Sequence, residues 1–421
     1  MNCQDGKVKL GPFGNRRRIG LRMRVRLYLR VSQGSLPAPF CASKKPPSIL
    51  EHVLQSASSN PPMPVTIRDV AKRARVSVGT VSNVLGGLVA VRPLLYERVQ
   101  KAIRELEYHP NSAARSLKTR RTRILGMVIS DITNPFFPHL ARGAEEAAAE
   151  HGYLLAVFNT DERVEREKQM LSALRTRRVD GVLLVIAPDP ANSTHVESAV
   201  LAGLPIVCLD RIPRGISVDS VGIDNAKSAR ICVRHLINTG HTRIGMLNGS
   251  MRLQTARDRL RGYELALREA GLPIDEELVR SSDFRIESGF TMGMGTESGF
   301  SMGKELLLLN PRPTAIFASS SSLGLGLIHA INDLNIECPR DIALAVFDEI
   351  PGAEFFRPHV TALSQPAYQI GYQGAKLILQ RIEGKLLKKP TRILLEGELR
   401  ARESTLDYHP KNAFRIVDRI R

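Results

Sequence analysis

The sequence predicts an α/β protein that carries a small all-helical head, and three observations predict it. Charge is segregated along the 421 residues: residues 1–62 hold 11 Lys+Arg against 2 Asp+Glu, residues 63–123 hold 13 against 4, and residues 124–421 hold 36 against 36. The net charge of +18 therefore lies wholly toward the N-terminus. Inside that basic region, Val65 to Leu85 reads as two short amphipathic helices joined by a tight turn. Beyond Arg123, apolar runs alternate with helical segments, the pattern of parallel sheets covered by helices on both faces.

In the head, Thr66 is placed to cap the first helix with Asp69 answering from the third helical position, and Ser77 to cap the second. Ile67, Val70, Ala71 and Ala74 share a face of the first helix, and Val81, Val84 and Leu85 share a face of the second. Val78, Gly79, Ser82 and Asn83 then point outward. A third helix is expected from Pro93, a residue suited to a first turn, through Tyr96, Val99, Ile103 and Leu106, closing a three-helix core. A helix-turn-helix inside a basic segment is the electrostatic footprint of phosphate binding. Its outward residues would meet base edges: Asn83 can pair bidentately with adenine, and Val78 offers methyl groups to a thymine methyl. Thr80 and Ser82 suit phosphates, which fix register without reading sequence.

In the body, strands are expected at Ile124 to Ser130, Tyr153 to Phe158, Gly181 to Ile186, Ile206 to Leu209, Ile244 to Leu247, Ala315 to Ala318 and Ile342 to Phe347. In open sheets of this kind ligands bind beyond the C-terminal strand ends. Asp131 and Asn134 follow the first of these strands, Asp210 ends the Ile206 strand, and Asp348 ends the Ile342 strand. Carboxylates at such ends suit paired hydrogen bonds to neighbouring hydroxyls, and an aromatic face such as Phe284 suits the C–H surface of a sugar. The five cysteines, Cys3, Cys41, Cys208, Cys232 and Cys338, are scattered without Cys-x-x-Cys spacing, so neither a disulfide framework nor a metal site is expected. No apolar run reaches the ~18 residues of a membrane span, and a reducing cytoplasm is the expected location.

The order helix-turn-helix, third helix, then His109-Pro110-Asn111-Ser112-Ala113-Ala114-Arg115-Ser116-Leu117 resembles the LacI/GalR family of bacterial transcription regulators, from about Met63 onward. The resemblance implies a two-lobed core like that of periplasmic sugar-binding proteins, a homodimer, double-stranded operator DNA as partner and a small-molecule effector, with no cofactor. It places the DNA contacts at Thr66, Ser77, Val78, Gly79, Thr80, Ser82 and Asn83 in the head. In the hinge helix it places them at Asn111, Ala114, Arg115 and Leu117, the leucine levering between central base pairs. It assigns the effector to Asp131, Asn134, Phe136, Asp210, Arg259, Phe284, Ser320, Asp348 and Gln365. Asp224, though it matches the family, is expected to cap a helix. The chain departs from its relatives at Arg75, where the family usually has a left-handed glycine, at Asn83, often arginine, and at Ser319 to Ser322, where many relatives place Asn-Asp.

The expected organisation is a disordered basic extension over 1–62, with Met63 the expected native start, a helix-turn-helix domain over 63–110, a hinge helix and linker over 111–123, a two-lobed core over 124–408 and a tail over 409–421. A tandem repeat, Glu287-Ser288-Gly289-Phe290-Thr291-Met292-Gly293 then Glu297-Ser298-Gly299-Phe300-Ser301-Met302-Gly303, is expected to form a bulged surface loop. The resulting reading is an effector-responsive repressor of carbohydrate-utilisation genes. The alternatives are a sugar-binding protein or a sugar enzyme without a DNA role. Against the enzyme, no Gly-x-Gly-x-x-Gly follows a strand, and neither a Walker phosphate loop nor a Gly-x-Ser-x-Gly elbow occurs.

Overall fold

The computed structural model describes residues 65–86, 91–109, 121–188, 193–212, 215–282, 294–355, 357–385 and 389–406. The N-terminal extension and Met63, the hinge residues Asn111, Ala114, Arg115 and Leu117, Phe284, the first copy of the repeat and the C-terminal tail lie outside the described residues.

The head is three helices, α1 (Ile67–Ala74), α2 (Val78–Gly86) and α3 (Pro93–Glu105), around Val70, Ala71, Ala74, Val81, Val84, Val99, Ala102 and Tyr108. The expected pairing of Thr66 and Asp69 forms a capping box at the start of α1. The Asp69 carboxylate accepts from both the Thr66 backbone N–H at 2.9 Å and the Thr66 hydroxyl at 2.7 Å. That hydroxyl first, then the backbone bond, holds the Asp69 carboxyl below its ordinary range. Ser77 caps α2 as expected, its Oγ accepting from the Thr80 N–H at 3.1 Å. Tyr96 differs from the expectation: it stands 47% exposed, and the buried tyrosine of the head is Tyr108, beyond the end of α3.

Arg75 ends α1 in the left-handed region, φ 54° and ψ 50°. For a non-glycine residue this costs about 1–2 kcal/mol. Arg98 of α3 holds the turn from the other side, its Nη2 donating to the carbonyls of Ala74 at 2.6 Å and Arg75 at 3.1 Å. Those are carbonyls that a helix end leaves without intrahelical partners.

The body has two six-stranded sheets. The first takes β1 (Ile124–Ile129), β2 (Leu154–Asn159), β3 (Gly181–Leu184), β4 (Ile206–Leu209), β5 (Asp219–Ile223) and β11 (Arg392–Leu395), in the order β11-β5-β4-β3-β1-β2. The second takes β6 (Ile244–Asn248), β7 (Val279–Ser281), β8 (Ala315–Ala318), β9 (Ala343–Phe347), β10 (Thr361–Ser364) and β12 (Glu398–Arg400), in the order β12-β10-β9-β8-β6-β7. All neighbours run parallel except β12, which is antiparallel to β10. Each sheet has the doubly wound order that opens a crevice where the winding reverses. Helices α4 (Phe136–Glu150), α5 (Val164–Thr176) and α6 (Thr194–Leu201) serve the first sheet, and α7 (Asn225–Asn238), α8 (Gln254–Glu269), α9 (Met294–Leu307) and α10 (Ser321–Asp333) the second. After β10, α11 (Ala367–Ile382) returns to the first sheet and packs on α4, so the chain passes between the sheets three times. Among the described residues no helix is long and apolar enough to cross a membrane.

The second copy of the repeat corrects the loop expectation, because from Met294 onward the segment is helical. Its glycines, read as loop formers, serve packing. A Cβ at Gly299 would collide with the Leu323 backbone of α10, and a Cβ at Gly326 with the Thr296 carbonyl of α9. Close approach of the two helices outweighs the ~1 kcal/mol helix penalty of glycine.

Two substitutions test the turn. Arg75→Gly should stabilise the head by about 1 kcal/mol by removing the left-handed penalty. Arg98→Ala should destabilise it by about 1 kcal/mol by removing the two hydrogen bonds to the turn. Both are read as shifts of the head's unfolding transition in urea.

Candidate DNA-reading face and effector cleft

On the head, the residues expected to read bases share the solvent face of α2. Val78 is 42% exposed, Gly79 and Asn83 are exposed, and Thr80 and Ser82 are half-buried, while Val81 and Val84 close the core beneath them. Thr66 is exposed at the start of α1, and Ser77 is exposed at the start of α2. The structure thus brings the expected set of the head onto the outer side of its first two helices.

In the body, Asp210 and Asp348 stand just past β4 and β9, both with left-handed backbones, φ 60° and 73°. Between them lies Arg259 of α8, only 9% exposed, with Coulombic links to both carboxylates. Its Nε donates to Asn225 Oδ1 at 2.9 Å, its Nη1 donates to the Ser319 carbonyl at 2.6 Å, and its guanidinium lies 3.7 Å from the centre of the Phe347 ring. Gln365, just beyond β10, donates from Nε2 to Asp348 Oδ1 at 2.6 Å. Burial pushes the Asp348 carboxyl up to about 6, against the pull of Arg259 and of the Gln365 bond. Burial likewise raises Asp210, which is 7% exposed, and lowers Arg259.

Several polar atoms at these strand ends are buried without a hydrogen-bond partner: Ser130 Oγ past β1, Asp210 Oδ1 past β4, Asn248 Oδ1 at the end of β6, Gln254 Nε2 at the start of α8 and Gln365 Oε1. Buried polar groups are ordinarily hydrogen-bonded in folded proteins, so these side chains at the C-terminal strand ends of both sheets are open to further polar partners. Donor and acceptor atoms together suit hydroxyl groups, which do both. A cavity of about 240 Å³ opens beside Asp210 and Gln254, with Ile212, Ile223, Asn225, Thr255 and Arg392 also among its walls.

The remaining expected residues divide. Asn134 Oδ1 accepts from the Phe136 N–H at 3.0 Å, Asp131 Oδ1 accepts from the Thr133 N–H at 2.9 Å, and Ser320 Oγ accepts from the Leu323 N–H at 3.3 Å. These three organise their own loops and helix starts. Phe136 stacks edge-on against Phe137, with ring centroids 5.3 Å apart. Asp224 caps α7 as expected, accepting from the Lys227 N–H at 2.9 Å. Ser130, Asn248 and Gln254 were not singled out from the sequence. The signal was available, since each immediately follows or closes an apolar run at a strand end, or opens the helix beyond it.

A three-helix helix-turn-helix head joined to a doubly wound two-sheet core is the architecture of a DNA-binding transcription regulator. The family models agree: residues 66–111 match the bacterial regulatory proteins of the lacI family, and residues 233–405 match a periplasmic binding protein-like domain. The chain is 34% identical over 345 residues to the HTH-type transcriptional regulator RegA of Clostridium saccharobutylicum, covering 82% of this chain and 100% of that protein. It is 31% identical to the catabolite control protein A of Priestia megaterium, over 79% of this chain and 98% of that one. Among solved structures, the lac repressor dimer bound to operator and an anti-inducer superposes with a TM-score of 0.71 at 25% identity, over 82% of this chain and 99% of that one. The cellobiose complex of the transcriptional regulator CelR gives 0.59 at 32% identity, over 81% and 99%. The chain belongs to the lacI family of bacterial transcription regulators.

The raised Asp348 carboxyl makes a pH prediction. The folded state holds a proton on Asp348 that the unfolded chain releases, so the burial cost is absent below the ordinary value of 3.8 and grows as pH rises to about 6. Asp348→Asn should therefore gain stability relative to wild type across that window, by up to about 3 kcal/mol, with no gain at lower pH. Thermal melts of both proteins through the window check it.

Proposed function

We propose that the protein is an effector-responsive repressor of carbohydrate-utilisation genes that acts in the cytoplasm and binds a pseudo-palindromic operator as a homodimer. Residues 63–110 read the DNA, 111–123 form the hinge and linker, and 124–408 form the core. The observation that carries the reading is the set of buried polar side chains at the C-terminal strand ends of both sheets, Ser130 and Asp210 on the first and Asn248 and Gln365 on the second, with Gln254 facing Asp210 across a cavity. A hydroxyl-rich ligand that satisfies them all must touch both lobes. It would then favour one lobe arrangement over another, and only such differential binding changes operator affinity.

Arg259 and Asp348 hold the effector, with Asp131, Asn134, Phe136, Asp210, Phe284, Ser320 and Gln365 around them. Val78 and Asn83 read bases, while Gly79 lets the reading helix approach the groove without a side chain of its own. Thr66, Ser77, Thr80 and Ser82 position the helix on phosphates, and Asn111, Ala114, Arg115 and Leu117 act in the minor groove. A leucine wedged between base pairs kinks the duplex, and the unstacking is offset by the added contacts.

The test is selection of binding sites from random duplex DNA at about physiological salt, where non-specific binding is weak. Enrichment of a pseudo-palindrome with a fixed centre is expected; no enrichment, with and without a panel of sugars, would end the reading. On the selected site, Leu117→Ala should weaken specific binding more than non-specific binding, and equal weakening of both would remove the lever. Asp348→Ala should abolish the effector response and leave operator affinity near that of the wild type.

A further inference from the structure

The strained turn at Arg75 has no structural benefit on its own side of the backbone. Glycine would take the same φ of 54° without penalty, and the bonds that hold the turn come from Arg98, which grips backbone carbonyls that any residue would supply. An outlier of this kind points to a use for the side chain. That side chain is exposed and lines a surface groove of about 330 Å³ together with Asp69, Lys72, Arg73 and Leu106. The charges in the groove are unevenly occupied. Asp69 is taken by Thr66, and Arg73 pairs with Glu105 at 2.6 Å. Lys72 influences Asp69 at longer range, and neither Lys72 nor Arg75 forms an ion pair among the described residues. Two cations are thus left for an outside anion, two residues before the Ser77 that opens the reading helix.

We propose that Arg75 and Lys72 form a phosphate clamp that grips the DNA backbone beside the reading helix and adds affinity for duplex DNA of any sequence. The proposal rests on the DNA-binding reading and assigns a use to an arginine held in a left-handed turn. The turn holds the Arg75 side chain outward, and the left-handed strain is the cost of placing a cation there. The clamp contacts phosphate alone, so it leaves base preference at Val78 and Asn83 untouched.

The experiment measures binding of the full chain to a short duplex of mixed sequence between about 50 and 200 mM salt. Releasing one phosphate from the protein should make the slope of log affinity against log salt shallower by about 0.9. Arg75→Gly and Lys72→Gln are each expected to show that change, Arg75→Lys to keep the wild-type slope, and Lys101→Gln on α3 to leave it unaltered. Arg75→Gly carries a second signature that a merely structural residue would not produce: the head becomes more stable while its DNA affinity falls. An unchanged slope in Arg75→Gly and Lys72→Gln overturns the clamp. Absence of any salt-dependent binding by the wild type overturns the DNA-binding reading itself, and the clamp with it.

Discussion

The arrangement of the core depends on one buried guanidinium. Arg259 is withdrawn from water, and a charge so placed is tolerable only when paired and hydrogen-bonded. Its partners come from far apart in the chain: Asn225 at the first crossing between sheets, the Ser319 carbonyl past β8 and the Phe347 ring at the end of β9. The charges of Asp210 and Asp348, which belong to different sheets, act on it at longer range.

Behind the cleft, a second polar layer holds the strand-end loops of the first sheet. Arg211 grips Glu162 with two bonds of 2.6 Å and reaches the Ile186 carbonyl at 2.9 Å. Glu167, fully buried on α5, accepts from the Ala187 N–H at 2.6 Å and meets His195 Nε2 at 2.5 Å. These contacts bind the loops after β2, β3 and β4 to each other, next to Asp210. The acceptor left open on Asp210 is thereby presented by a rigid wall, which is what selective recognition of a small polar ligand requires. The head uses a different logic. Its core is small and apolar, and one short helix leaves Val78, Gly79 and Asn83 exposed on its outer face.

How legible each part was depended on the range of the interactions involved. Six of the seven expected strands could be read because burial on both faces leaves a continuous hydrophobic run, while β2 is a partly exposed edge strand that kept its apolar composition. The short strands β5, β7, β10, β11 and β12 could not. Strand β5 lies wholly buried yet contains Asp219, a residue poor in strands. Asp219 is tolerated because Arg381, distant in sequence, binds it at 2.8 and 2.7 Å and the Thr391 N–H adds a third bond at 2.7 Å. Thr361 of β10 is likewise held by Ser404 and Thr405 near the far end of the chain. Gly299 misled for the same reason, since its role is set by α10 and not by its neighbours in sequence.

The sequence by itself determined the helix-turn-helix, its caps and outward face, the left-handed strain at Arg75, the parallel α/β body and the acids at two strand ends. Each of these follows from local periodicity, composition or backbone stereochemistry, which act within a few residues. Only the tertiary structure decided that Arg259 is buried against Asn225, the Ser319 carbonyl and the Phe347 ring, that Asn134 and Ser320 cap their own loops, and that Gln254 lines a cavity with Asp210. Those outcomes depend on which strand ends meet in space. That is set by the winding order of the sheets and the chain's three passages between them, and neither is encoded in any single segment.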